Sequence, residues 1–120
     1  MKIKGFLKEG KKNYLNMSFT PTSLIMKYDA FIKLSKESEP SIKLSGIHLA
    51  LWYVVKDNWD LAHNIVQDIN TETASWIHAY LHRVEGDIDN AHYWYNRARK
   101  EPYSKSLNSE LDDIIQFLFL

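Results

Sequence analysis

Residues 74–99, ASWIHAYLHRVEGDIDNAHYWYNRAR, predict two short helices that fold back on each other at Gly86. Glycine suits the end of a helix because it adopts the left-handed conformation found there without a side-chain clash. A related segment, residues 45–70, lies immediately upstream. The chain is therefore expected to contain the same helical hairpin twice.

The two segments align without a gap when the sequence is shifted by 29 residues. The matched positions are Ala50 and Ala79, Tyr53 and His82, Ala62 and Ala91, His63 and His92, and Val66 and Tyr95. A small residue in each helix lets two helix backbones approach closely. A period between about 20 and 50 residues is typical of stacked helical units.

The second segment resembles the tetratricopeptide repeat, which orders a small residue, an aromatic residue, alanine, a second aromatic residue and proline. The positions that carry this order are Ala79, His82, Ala91, Tyr95 and Pro102. The resemblance implies stacked helical hairpins with a concave groove lined by the first helix of each pair. The longer string LWYVVKDNWDLAH…ASWIHAYLHRVEGDIDNAHYWYNRA is also similar to a group of small bacterial proteins of unassigned function, which implies a bacterial source.

Helix signals on both sides of the hairpins complete an all-α fold of about six helices. Thr20 and Pro21 start one flanking helix, and Ser106 or Asn108 caps the last one. The last helix has one apolar stripe, with Glu110 expected on the opposite, solvent-facing side. The expected layout is a flexible basic arm over residues 1–19 and a single helical-repeat-like domain over residues 20–120.

Composition excludes several classes of protein. Apolar residues make up 45% of the chain, which indicates a globular fold, and there is no cysteine for a disulfide or a thiolate metal site. No apolar run reaches the 18 or so residues of a membrane span, and no secretion signal stands at the N-terminus. These features favour a bacterial cytoplasmic protein without a membrane segment.

Charge is unevenly distributed although the net charge is zero. Residues 1–43 contain nine lysines and four acidic residues, a net charge of +5. Residues 44–120 contain six basic and eleven acidic residues, a net charge of −5. The two halves could attract each other within one fold or across a homodimer. The basic arm lacks arginine, so it offers no bidentate contact to bases, which argues against nucleic-acid recognition.

Candidate metal ligands come from the histidines of the second segment. His78 and His82 are four residues apart and share a helix face, and His92 or Glu85 could supply a third ligand. The alternative is that these histidines are hydrogen-bonded core or boundary residues. No HExxH sequence, phosphate-cradling glycine loop or nucleophile motif accompanies them, so no catalytic residue and no cofactor is expected.

Trp76, Tyr80 and Arg83 are the candidate binding residues. Their spacing places them on one helix face, and these residue types dominate protein-binding hot spots. The alternative is that neighbouring helices cover this face. The leading hypothesis is a non-catalytic protein–protein interaction module with an unknown protein partner. The second is a small-molecule or metal-binding protein, or an enzyme, that uses a pocket of histidines and aromatic residues.

Overall fold

The computed structural model describes residues 29–119, and this part of the chain is all-helical. Helix α1 covers residues 29–34 of the described range, and the other helices are α2 (Gly46–Val55), α3 (Trp59–Val66), α4 (Glu72–Val84), α5 (Ile88–Arg97) and α6 (Leu107–Phe119). The all-α class with about six helices is confirmed. The basic arm predicted for residues 1–19 and the helix start at Thr20 lie outside the described residues.

Two helical hairpins, α2–α3 and α4–α5, repeat the same turn at the predicted shift of 29 residues. Asp57 and Gly86 occupy matching places with left-handed backbone angles of φ +64° and +84°. Asn58 accepts a hydrogen bond from the backbone N–H of Leu61, and Asp87 accepts one from that of Asn90. These bonds satisfy backbone donors at the start of α3 and α5, so each hairpin closes through the same cap.

The second helix of the first hairpin packs against the first helix of the second hairpin, so that α3 lies beside α4. The small residues at the predicted helix contacts are all buried, namely Ala50, Ala62, Ala79 and Ala91. Helix α6 covers the opposite side of α4 and closes the stack. This order places α4 at the centre of the described structure.

Helix α2 begins later than the sequence suggested. The apolar sequence after Pro40 predicts a helix from Ser41 to Lys56 that is buried almost all round. In the structure, residues 41–44 instead form a turn in which the Leu44 N–H donates to the Ser41 carbonyl. Gly46 has a φ of +56°, and a right-handed helix cannot continue through that conformation. Ile42, expected on the buried surface of the helix, is fully exposed as a result.

Helix α6 begins as predicted but buries a residue that was expected in solvent. The Ser106 hydroxyl accepts a hydrogen bond from the Ser109 N–H, which identifies Ser106 as the cap. Leu111, Ile114 and Ile115 form the buried stripe. Glu110 is 0% exposed, so the prediction that it faces solvent is wrong. Its carboxylate is turned toward α4 and α5, where hydrogen-bond donors surround it.

We expect Ala91→Leu to overpack the second hairpin, because Ala91 is buried within it and has no room for three more carbon atoms. The free energy of unfolding should fall by roughly 1–3 kcal/mol in urea denaturation. His92→Leu, one residue along and exposed, should change it little and is the matched control. Equal stability of the two variants would contradict the close helix contact.

Candidate functional site

Three histidines meet where the two hairpins join. His63 lies on α3, and His78 and His82 lie one turn apart on α4. Their ring centroids are 4.6 Å apart for His63 and His78, 5.3 Å for His63 and His82, and 4.9 Å for His78 and His82. We call these residues the three-histidine cluster. It exists only because α3 and α4 pack together, so it depends on the stacking of the hairpins.

The cluster can supply one nitrogen ligand from each ring to a single ion. One ring nitrogen of each histidine lies within 4.8 Å of those of the other two. Two imidazole nitrogens on one tetrahedral zinc ion lie about 3.4 Å apart, since each Zn–N bond is about 2.0–2.1 Å long. The nitrogens would therefore have to approach one another by up to about 1.4 Å to bind one ion.

His78 is the deepest member of the cluster. It is only 3% exposed, and its Nδ1 has no hydrogen-bond partner among the described residues. Burial, together with His63 and His82 nearby, lowers the pKa of His78 to about 3. Burial also lowers the pKa of His63, with a further contribution from His82. His78 is consequently neutral at physiological pH, and a neutral imidazole is the form that binds metals.

Two tryptophans from different hairpins flank the cluster. Trp94 of α5 stacks on His78 with 3.8 Å between ring centroids, and Trp59 stacks on His63 at 4.6 Å. The indole N–H of Trp59 donates to the Leu81 carbonyl at 2.6 Å, which anchors its ring. The two indole rings restrict the rotamers of His63 and His78 and shield part of the cluster from water.

Glu85 makes the polar contact at the edge of the cluster. Its Oε1 lies 2.7 Å from Nδ1 of His82, three residues earlier on the chain. The side chain of Glu85 is 40% exposed, whereas that of His82 is almost fully buried. The carboxylate therefore connects a buried ring to solvent. His82, Glu85 and Asp87 also form a second, more exposed group of potential ligand atoms.

His92 does not belong to the three-histidine cluster, so the predicted ligand set of His78, His82 and His92 needs one correction. His63 takes the third place, and His92 is exposed on α5. The two residues match in the repeat, but α3 packs against α4 of the next hairpin, whereas within residues 29–119 no further hairpin faces α5. The packing order of the helices therefore decides which of the two histidines joins the cluster.

The face of α4 that carries Trp76, Tyr80 and Arg83 is covered, in agreement with the alternative considered for it. Trp76 is 5% exposed and Tyr80 is fully buried. The expectation of a partly exposed patch is therefore wrong, because α6 packs on this side of α4. A partner-binding role for these residues stays a prediction that their burial does not favour.

Glu110 of α6 explains why this face is polar. Its carboxylate accepts hydrogen bonds from the Trp76 indole N–H at 3.0 Å and from the Tyr95 hydroxyl at 2.6 Å, and it pairs with the Arg83 guanidinium at 2.9 Å. A second guanidinium nitrogen of Arg83 donates to the Lys105 carbonyl. Burial and the hydrogen bond to Glu110 raise the pKa of Tyr95, which keeps its phenol neutral. The arrangement is a satisfied structural network.

An apolar hollow of about 300 Å³ lies between α1, the start of α2 with Leu44 before it, and the end of α6. Phe31 and Phe119 lie in its wall with 4.8 Å between ring centroids, and His48 is the one ionisable residue among the described residues that line it. None of its described lining residues belongs to the three-histidine cluster. With one polar group it offers little to orient a small molecule.

Comparison of the chain with models of known families, with curated proteins and with solved structures finds no match. Within residues 29–119, none of the helices has the length and apolar character needed to cross a membrane.

Proposed function

We propose that this protein binds a divalent transition-metal ion through His63, His78 and His82. Two observations carry the proposal: one ring nitrogen from each of the three histidines lies within 4.8 Å of the other two, and Nδ1 of His78 is buried with no hydrogen-bond partner among the described residues. A buried polar atom without a partner costs about 1–3 kcal/mol. An ion bound at Nδ1 of His78 would remove that cost, whereas simple packing of aromatic rings would not.

The ligand type indicates which metals fit. Imidazole nitrogen suits zinc, copper, nickel and iron, whereas magnesium and calcium prefer oxygen ligands. The neutral state of His78 means that no proton has to leave this ring before the ion binds. We propose binding alone and assign no reaction to the ion.

The interaction-module hypothesis has no comparable support in the described part of the chain. Its proposed residues, Trp76 and Tyr80, are buried, and the third, Arg83, is paired with Glu110. A partner surface would have to use other residues. Metal binding is therefore the function that the described geometry favours.

Metal-stripped protein should bind about one equivalent of zinc, nickel or cobalt in calorimetric titration, and not magnesium or calcium. Single changes of His63, His78 or His82 to glutamine should each weaken metal binding by roughly 100-fold or more. The loss of a residue that only orients a metal ligand already lowers metal affinity by about 10–100-fold. Nickel or cobalt should also quench tryptophan fluorescence, because Trp59 and Trp94 stack on ligand rings.

His92→Gln and His48→Gln are the matched controls, because neither residue belongs to the three-histidine cluster. Both variants should bind zinc as tightly as the unchanged protein. The proposal fails if the unchanged protein binds none of these ions, or if His92→Gln lowers the affinity as much as His78→Gln does.

A further inference from the structure

The hydrogen bond between Glu85 and His82 has a consequence for the proposed metal site. A carboxylate can only accept a hydrogen bond, so the 2.7 Å contact requires His82 to carry its proton on Nδ1. The lone pair of the neutral ring then lies on Nε2. The contact thereby selects one of the two neutral forms of this imidazole.

Comparison of the two hairpins indicates that the fold itself does not require this pair. At the shift of 29 residues, His82 and Glu85 correspond to Tyr53 and Lys56. The backbone is nevertheless the same, since the N–H of Lys56 donates to the Trp52 carbonyl and that of Glu85 donates to the Leu81 carbonyl. The same turn forms with lysine at this position, so the turn itself does not require the carboxylate of Glu85.

We infer that Glu85 is a positioning residue of the metal site, which holds His82 in the Nδ1-protonated form so that Nε2 binds the ion. This inference rests on the proposed function. Ligating histidines commonly donate their second ring N–H to a carboxylate, which fixes the ring and strengthens it as a ligand. The 40% exposure of Glu85 places this acceptor at the solvent edge, outside the three rings.

The alternative role for Glu85 is that of a direct ligand, since Glu85, Asp87 and His82 also come within ligand distance of one another. The 2.7 Å separation favours positioning, because it is the length of a charge-assisted hydrogen bond between the two side chains. The two roles differ in which nitrogen of His82 binds the metal.

The test uses the full chain and zinc, with affinity measured by competition against a chromophoric chelator. Glu85→Gln should weaken zinc binding by about 10–100-fold. Glu85→Lys, which installs the residue of the first hairpin, should weaken it at least as much and still fold. Glu101→Gln changes an exposed glutamate elsewhere and should bind as the unchanged protein does. Melting temperatures of the metal-free variants should stay close together, because a partly exposed ion pair contributes little to stability.

Long-range nitrogen–proton NMR spectra of the zinc-loaded protein show which nitrogen of His82 binds zinc and which carries the proton. A purely structural role of Glu85 would not determine this assignment. We expect His82 to show zinc on Nε2 and a proton on Nδ1. Zinc on Nδ1 would overturn the inference and make Glu85 a candidate ligand. Equal affinities of Glu85→Gln and the unchanged protein would overturn it while leaving the metal site intact. Absence of zinc binding by the unchanged protein would remove the site and the inference together.

Discussion

Glu110→Ala is expected to lower the free energy of unfolding by about 3–5 kcal/mol, the largest effect of any single change considered for this protein. The carboxylate is completely buried and pairs with Arg83, whose side chain is largely buried as well. Removing it leaves the guanidinium without a compensating charge and leaves the Trp76 and Tyr95 donors unsatisfied. Urea denaturation monitored by circular dichroism gives the required free energies.

The effect should be large because one side chain connects three helices. Trp76 and Arg83 belong to α4, Tyr95 belongs to α5, and Glu110 belongs to α6. Loss of the carboxylate therefore weakens the attachment of α6 to the second hairpin at three points together. For a domain of this size, a loss of 3 kcal/mol corresponds to a fall in melting temperature of roughly 10–20 °C.

Glu101→Ala, at an exposed position, is the control and should change stability by less than about 0.5 kcal/mol. The pair Arg83→Met with Glu110→Leu is informative, because replacing a buried ion pair with apolar residues is often close to neutral. The double variant should therefore be more stable than Glu110→Ala. A melting temperature of Glu110→Ala equal to that of the unchanged protein would show that α6 does not pack on α4.

The repeated turn is the part of the fold that the sequence predicted best, because local chemistry determines it. A left-handed position followed by a side-chain cap closes both hairpins, at Asp57 and Asn58 and again at Gly86 and Asp87. Each signal involves residues no more than three apart. Such signals can be recognised without knowledge of which helices become neighbours.

The burial of Glu110 could not be predicted in the same way, because its cause lies on two other helices. On α6 alone it borders the apolar stripe, three residues after Leu107 and four before Ile114, so its position was ambiguous. The donors that make burial favourable are Trp76, Arg83 and Tyr95, which are 15–34 residues away in the sequence. Two of these donors, Trp76 and Arg83, were interpreted together with Tyr80 as a binding face, because their partner on α6 was not recognised.

The candidate metal site was predicted in part. The spacing of His78 and His82 identified two members, since residues four apart share a helix face. The third member depended on which helix packs beside α4, and the repeat matched His63 and His92 equally well. Only the stacking order distinguishes them, and it places His63 beside α4 and leaves His92 exposed.

The metal-free protein is expected to lose stability steeply as the pH falls below about 6.5, and His78 should account for much of that loss. Its pKa is about 3 in the folded protein, compared with about 6.5 in an unfolded chain. Between these values the unfolded chain binds one more proton than the folded protein does. His78 therefore leaves the free energy of unfolding unchanged above about pH 6.5. Between pH 6.5 and 3 it lowers the free energy of unfolding by up to about 1.4 kcal/mol per pH unit as the pH falls.

The lowered pKa of His63 adds to the same trend, whereas Glu85 and Asp60 act in the opposite direction on that ring. The measurement is the free energy of unfolding between pH 7 and pH 4 in the presence of a metal chelator. His78→Gln removes the titrating group, so its stability should depend on pH less steeply than that of the unchanged protein. His92→Gln, which changes an exposed histidine, should retain the steep dependence. If the free energy of unfolding depends on pH equally in His78→Gln and the unchanged protein, His78 accepts a proton while the protein is folded. The ring of His78 would then be less tightly enclosed than its 3.8 Å stacking distance to Trp94 indicates.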